Sequence, residues 1–327
     1  MKKNIYTIIF ALMLSISFTA CNKSESSKKD KLNVVCTIFP EYDWVREIIG
    51  LDNSDINLEV LVKGKVDLHS YQPSATDIMK VSTADVFIYI GGESDAWIHD
   101  VMKQSINKKM VKINLMEVLS STIKEEEIIE GMQGEDEHEE EEDIHNHEVE
   151  YDEHIWLSLR NAEVACKYIA NEIIKVDEKN KNVYEKNLNT YLDKLASLDL
   201  EYKNTVSGAK NNTLLVCDRF PFRYLVDDYN LNYYAAFIGC SAETEASFET
   251  IAFLTKKLNE LQLSYIITTE SAQPKIAETV IKNSNCKNTQ IIKMNSLQAV
   301  SLDEAQNGAT YISIMKDNLS VLQKALN

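Results

Sequence analysis

The sequence predicts an α/β protein made of two parallel-sheet lobes joined by one long rigid helix. Three observations carry this expectation. From Lys31 onward, apolar strand-like runs alternate with amphipathic helical ones, and the alternation begins afresh after Gly208. Between the two halves lies a stretch, about Glu178 to Ser207, with no Pro or Gly. Strands alternating with helices imply parallel sheets covered on both faces.

The N-terminus comes first. Lys2 and Lys3 form a short positive region, and Ile5 to Ala20 is mostly apolar. The segment resembles a secretory signal and is short for a membrane span. Phe18-Thr19-Ala20-Cys21 looks like a bacterial lipobox with Phe where Leu is usual, so Cys21 is the expected lipidation site. Asn22 to Lys31 is polar, rich in Ser and Lys, and reads as a tether. The expected location is the outer face of the cytoplasmic membrane. After Cys21 there remain 306 residues, ample for two lobes.

In the first lobe, expected over 32–177, Leu32 to Thr37, Ile56 to Val62, Val86 to Ile90 and Met110 to Leu115 read as strands. Val86 to Ile90 ends in Gly91-Gly92, as buried parallel strands often do. Helices are expected over Glu41 to Ile49, from a Ser74 or Thr76 cap to Ser82, over Ala96 to Ser105, and over Leu159 to Val176. The linking helix, 178–207, repeats Tyr184, Leu188, Tyr191, Leu192, Leu195, Leu198 and Tyr202 at helical spacing. In the second lobe, 208–327, strands are expected at Thr213 to Cys217, Leu231 to Phe237, Tyr265 to Thr269 and Gln290 to Met294. Helices are expected near Phe222 to Tyr229, Ser247 to Gln262, Ala272 to Asn283 and Asp303 to Leu326.

One segment breaks the pattern. From Glu125 to Glu153 the chain carries sixteen Asp and Glu, three His and no Lys or Arg. The formal charge of the chain is −17, and this window contributes −16, so the remainder is close to neutral. Acidity is therefore a local device and says little about the folded core. Acidic runs are usually solvated, but His138, His145 and His147 make this one suited to metal. The loop, 125–151, runs into His154, and a second histidine, His69, lies far upstream. Imidazole and carboxylate together suit a divalent transition metal, with zinc first. Without Cys21 the cysteines are Cys36, Cys166, Cys217, Cys240 and Cys286; their number is odd and no CxxC pair occurs. Neither a disulfide framework nor a zinc ribbon is indicated, and Cys217 and Cys240 are open either to pairing or to a free thiol near a site. There is no HExxH helix of a zinc hydrolase and no GxxxxGK[ST] phosphate loop.

Several motifs then fall in order. His69-Ser70-Tyr71-Gln72-Pro73-Ser74 is followed by Asp77. Ala84-Asp85-Val86-Phe87-Ile88-Tyr89-Ile90-Gly91 and the turn Glu93 to Trp97 come next. Asp152-Glu153-His154-Ile155-Trp156-Leu157-Ser158 follows the acidic loop. Glu243, Glu245 and Ser247 precede Thr268-Thr269-Glu270-Ser271-Ala272-Gln273-Pro274-Lys275. In this order they resemble the substrate-binding proteins of the bacterial zinc/manganese ABC importer family, from about Lys31 to the C-terminus. The acidic, His-rich insertion resembles that of the zinc-directed members.

The resemblance implies four metal-ligand positions in a cleft between the lobes, with His69 and His154 from the first lobe. Glu270 follows an apolar strand, where ligands gather at the carboxyl ends of parallel strands. At the third position this sequence departs. Arg219 stands where zinc members carry His and manganese members often carry Glu, and a guanidinium has no lone pair to offer. Asp218, one residue off, is the candidate there, with water, Cys217 or Cys240 as alternatives. The resemblance further implies a non-enzymatic monomer that delivers Zn2+, with Mn2+ as the alternative cargo, to an ABC permease and its ATPase. His138, His145 and His147 serve as auxiliary collectors. Iron as cargo and a surface metal-buffering or adhesion lipoprotein are the other readings.

Overall fold

The computed structural model describes residues 31–51, 53–64, 66, 68–134, 150–241 and 245–327. Cys21 and nearly all of the tether, and His138, His145, His147 and Glu243, lie outside the described residues.

The chain begins β1 (Leu32–Cys36), α1 (Phe39–Ile49), β2 (Ile56–Val60), a 3-10 turn (Leu68–Ser70), α2 (Ala75–Thr83), β3 (Val86–Tyr89), α3 (Trp97–Lys103), β4 (Val111–Asn114) and α4 (Leu115–Val118). A 3-10 turn (Ile155–Leu157) leads into α5 (Leu159–Val176), and a further turn (Glu178–Asn180) into α6 (Lys181–Ser207). The second half runs β5 (Thr213–Phe220), α7 (Arg223–Asp228), β6 (Asn232–Ile238), α8 (Phe248–Leu261), β7 (Tyr265–Thr269), α9 (Lys275–Asn283), β8 (Gln290–Met294), α10 (Leu302–Gln306) and α11 (Tyr311–Ala325). The first sheet has the order β2-β1-β3-β4 and the second β6-β5-β7-β8, and every pairing is parallel. The same topology is thus built twice. In each sheet the strand order reverses beside the first strand, and ligands bind at the carboxyl ends of such switch points.

Local chemistry starts the helices that frame these ends. Pro40 sits in the first turn of α1, where its missing N–H costs nothing. The Glu41 carboxylate takes the N–H groups of Thr37 (2.7 Å) and Ile38 (3.2 Å) and the Thr37 hydroxyl (3.0 Å). Ser74 caps α2 in a reciprocal box with Asp77. The helix expected over Asp303 to Leu326 is instead two, α10 and α11. Gly308, at φ 101°, turns the chain between them, and Thr310 caps the second.

The linking helix α6 has 27 residues and so runs about 40 Å at 1.5 Å per residue. It buries Tyr184, Tyr191, Leu195, Leu198 and Tyr202 against α5, α1 and α11. One hydrophobic core runs through both lobes, from Val34 and Trp44 to Val216, Tyr224 and Tyr311. Polar bonds lace the same seam. The Tyr311 hydroxyl donates to Trp156 O (2.7 Å), the Trp156 indole to Ser296 O (2.8 Å), and the Tyr311 N–H to Asp43 Oδ2 (2.7 Å). A shared core of this kind resists hinge opening, unlike a pair of lobes joined by loose strands.

The described start of the acidic loop is structured. Gln133 donates its N–H to Ala236 O (2.9 Å) and pairs alongside Phe237, so it lies on the open edge of β6. Glu127 pairs with Arg223 (2.5 Å) and Glu130 with Lys257 (3.5 Å). The strap 124–134 therefore carries the chain from the first lobe onto the second before the loop proper.

Candidate metal centre

His69 sits on the 3-10 turn Leu68–Ser70, and His154 immediately precedes the turn Ile155–Leu157. Their Nε2 atoms stand 3.4 Å apart. On a tetrahedral zinc with Zn–N of 2.0–2.1 Å, two imidazole nitrogens stand about 3.3 Å apart. The pair is thus spaced as two ligands of one ion. Each ring is also held from behind. His154 Nδ1 donates to Asp152 Oδ1 (2.9 Å), which also takes the His154 backbone N–H (2.8 Å). That bond fixes the tautomer with a bare Nε2. His69 Nδ1 lies 2.8 Å from the Ser94 hydroxyl and 3.8 Å from Glu153 Oε2. In the tautomer that donates to Ser94, its Nε2 is bare as well.

The second lobe meets this pair through Gly239 and Cys240, just beyond β6. Cys240 Sγ and the two imidazole donors all lie within 4.8 Å of one another. Gly239 makes the approach possible. A Cβ there would stand 3.0 Å from both His154 Cε1 and Phe220 O, and 3.2 Å from His154 Nδ1. The Cys240 N–H donates to Glu126 Oε1 of the strap (3.3 Å). Burial pushes the Cys240 thiol up, and Glu126, Asp152 and Glu153 push it further.

The other second-lobe residues are engaged elsewhere. Glu270 follows β7 and lines a pocket of the second lobe with Arg219 and Gly239. Its two carboxylate oxygens accept from the Ser296 N–H (2.9 Å) and hydroxyl (2.7 Å). Asp218 Oδ2 accepts from the Thr269 N–H (2.9 Å) and from its hydroxyl. Arg219 Nη1 donates to Ser241 O (3.2 Å). Between Val216 and Arg219 the register of β5 against β6 slips, and such a bulge re-aims the side chains it carries. Neither Asp218 nor Glu270 belongs to the group formed by His69, His154 and Cys240. Cys217 is buried in the separate core of the second lobe, and among the described residues every cysteine is free.

Carboxylates crowd beneath the site. Burial pushes Asp95 up to about 7, with Glu153 adding to the effect. Glu41, Glu126 and Glu153 are all raised, chiefly by burial. Glu41 Oε1, Asp95 Oδ1, Glu126 Oε2 and Glu153 Oε2 have no hydrogen-bond partner among the described residues. For His154, burial acts to lower its affinity for a proton, but Asp152, Glu153 and Glu126 together overcome that and raise it. The same negative field favours a bound cation.

Of the residues meeting here, the sequence reading left Cys240 open among alternatives and missed Glu126, Ser94 and Gly239. Only the family-like turn Glu93 to Trp97 hinted at Ser94.

The family of the zinc-uptake complex component A, periplasmic (ZnuA), matches residues 34–325. The zinc-binding lipoprotein AdcA of Streptococcus pneumoniae strain R6 is 29% identical over 99% of this chain and 61% of its own length. The chain thus spans about three-fifths of that relative's length. The high-affinity zinc uptake system protein ZnuA of Bacillus subtilis strain 168 is 31% identical, over 97% of this chain and 94% of its own. The Zn(II)-bound ZnuA-like domain of Streptococcus pneumoniae AdcA superposes with a TM-score of 0.70 at 26% identity, covering 90% of this chain and 99% of that one. The likeness reaches across both lobes and the helix between them, and the chain belongs to the ZnuA family of zinc-uptake components.

Proposed function

We propose that this protein is the extracytoplasmic zinc-binding component of an ABC importer, capturing Zn2+ in the interlobe cleft and handing it to a membrane permease. The observation that carries the reading is the pair of Nε2 atoms 3.4 Å apart, each ring tied at Nδ1. Zinc is the borderline ion that such imidazoles suit, and it takes tetrahedral sites readily. Support for zinc over manganese also comes from the names of the relatives.

In this reading His69 and His154 are ligands from the first lobe. Glu270, released from Ser296, supplies a carboxylate oxygen as the ion sheds water. Asp218 stays with Thr269 and shapes the mouth of the cleft. His138, His145 and His147 collect metal without defining the selective site. Cys21 anchors a monomer to the outer face of the cytoplasmic membrane, with 22–31 as tether, 32–177 and 208–327 as lobes and 178–207 as the link. The partners are the permease and its ATPase, and the protein itself catalyses nothing. Zinc titration of His69→Ala and His154→Ala tests the reading. At least a tenfold loss of tight binding is expected in each, and undiminished affinity in either removes that histidine from the site.

A further inference from the structure

We propose that the sulfur of Cys240 is a second-lobe ligand to the captured metal, so that the centre combines two imidazoles and the Glu270 carboxylate with one thiolate. The proposal deepens the reading of the cleft as the zinc site and rests on it. Its first ground is the donor geometry. Two imidazole nitrogens and one thiolate on a tetrahedral zinc stand about 3.3 to 3.6 Å apart. The two Nε2 atoms are already at 3.4 Å, and the sulfur lies within 4.8 Å of a ring nitrogen of each histidine.

The second ground is how the other groups are committed. Arg219 has no lone pair and is bonded to Ser241 O. Asp218 is held by Thr269 through two hydrogen bonds, and Glu270, the carboxylate ligand of the reading above, fills another position. Cys240 is the one second-lobe side chain that forms a donor group with both histidines among the described residues.

The third ground is the support around it. Gly239 brings the end of β6 against the His154 ring, and Glu126 of the strap holds the Cys240 N–H. The strap that leads into the acidic loop thus positions the ligand residue. On binding, the sulfur gives its proton to solvent as the S–Zn bond forms, and no electrons change hands. The third ligand, where the family pattern has His or Glu, is then a soft one. Soft thiolates favour zinc and disfavour manganese, which prefers oxygen.

The test is cobalt substitution of the full-length protein, followed by absorption spectroscopy. A thiolate ligand gives Co2+ an intense near-ultraviolet sulfur-to-metal charge-transfer band, which imidazole and carboxylate do not. The expected result is a band at one Co2+ per chain, kept in Cys217→Ser and lost in Cys240→Ser. Zinc affinity should fall at least tenfold in Cys240→Ser. Tight zinc binding by the parent protein with no such band overturns the thiolate but leaves the zinc reading standing. A band that survives in Cys240→Ser also overturns it. Absence of any tight zinc site overturns both. The parent spectrum needs no variant, so a misfolded Cys240→Ser cannot shield the proposal.

Discussion

Replacing Gly239 by Ala places a methyl group where the lobes meet at the metal centre. The new Cβ lies 3.0 Å from His154 Cε1 and 3.0 Å from Phe220 O, where ordinary contact begins at 3.4 Å. Neither neighbour yields easily. Phe220 O is backbone at the end of β5, and the His154 ring is fully buried and pinned at Nδ1 by Asp152. Relief must come from tilting the imidazole or parting the lobes by a few tenths of an ångström. Overpacking of this kind costs about 1–3 kcal/mol. Where that strain falls on the closed, metal-bound state, zinc affinity drops roughly 5- to 150-fold, since each 1.4 kcal/mol is tenfold. Where it falls equally on the free protein, the melting temperature of the metal-free form drops instead. The assay is therefore paired: zinc affinity by competition with a chelator, and thermal unfolding of the metal-free protein. A Gly239→Ala variant unchanged in both would refute the close packing of Gly239 on His154.

Other predictions follow from the groups around the site. Asp152→Ala frees the His154 ring and tautomer, so zinc affinity should fall about 10- to 100-fold, read by the same competition titration; an unchanged value removes Asp152 from its supporting role. Because the acids raise the proton affinity of His154 above its ordinary level, protons compete with metal near neutrality. Zinc affinity should weaken steadily from pH 7.5 to 5.5, and a flat profile contradicts histidine ligation. The metal-free protein should respond to pH in the opposite sense. Asp95, raised to about 7, binds a proton in the folded state that the unfolded chain, near pKa 3.9, does not bind until much lower pH. Stability therefore rises as pH falls through 7, by about 2 kcal/mol from this group between pH 7.5 and 5.5. Denaturant unfolding measures that gain, and Asp95→Asn should abolish its share.

The strand–helix alternation could be read because parallel strands buried on both faces leave continuous apolar runs, as Val86 to Tyr89 does. The linking helix was legible from its tyrosine and leucine spacing. The split between α10 and α11 was less so, because a lone Gly308 in a helical pattern is compatible with continuation as well as with a break. His69 and His154 stand out through their motif settings, yet nothing in the one-dimensional pattern shows that their Nε2 atoms meet. Cys240 lies in a segment without periodicity, and its approach to His154 depends on the absence of a side chain at Gly239. The strap misleads most. Glu125 to Glu130 reads as solvated charge, while its partners Arg223, Lys257 and the β6 edge are remote in sequence. The β5 bulge that turns Asp218 to Thr269 and Arg219 to Ser241 has no local signature at all.

The most direct measurement is a calorimetric zinc titration of the stripped protein lacking residues 135–149, with manganese as competitor. The deletion starts after Gly134, so that the strap and its hold on Cys240 remain. One tight zinc per chain, not displaced by excess manganese, is the predicted result. Loss of tight zinc binding, or ready displacement by manganese, would contradict a zinc-selective centre at His69 and His154.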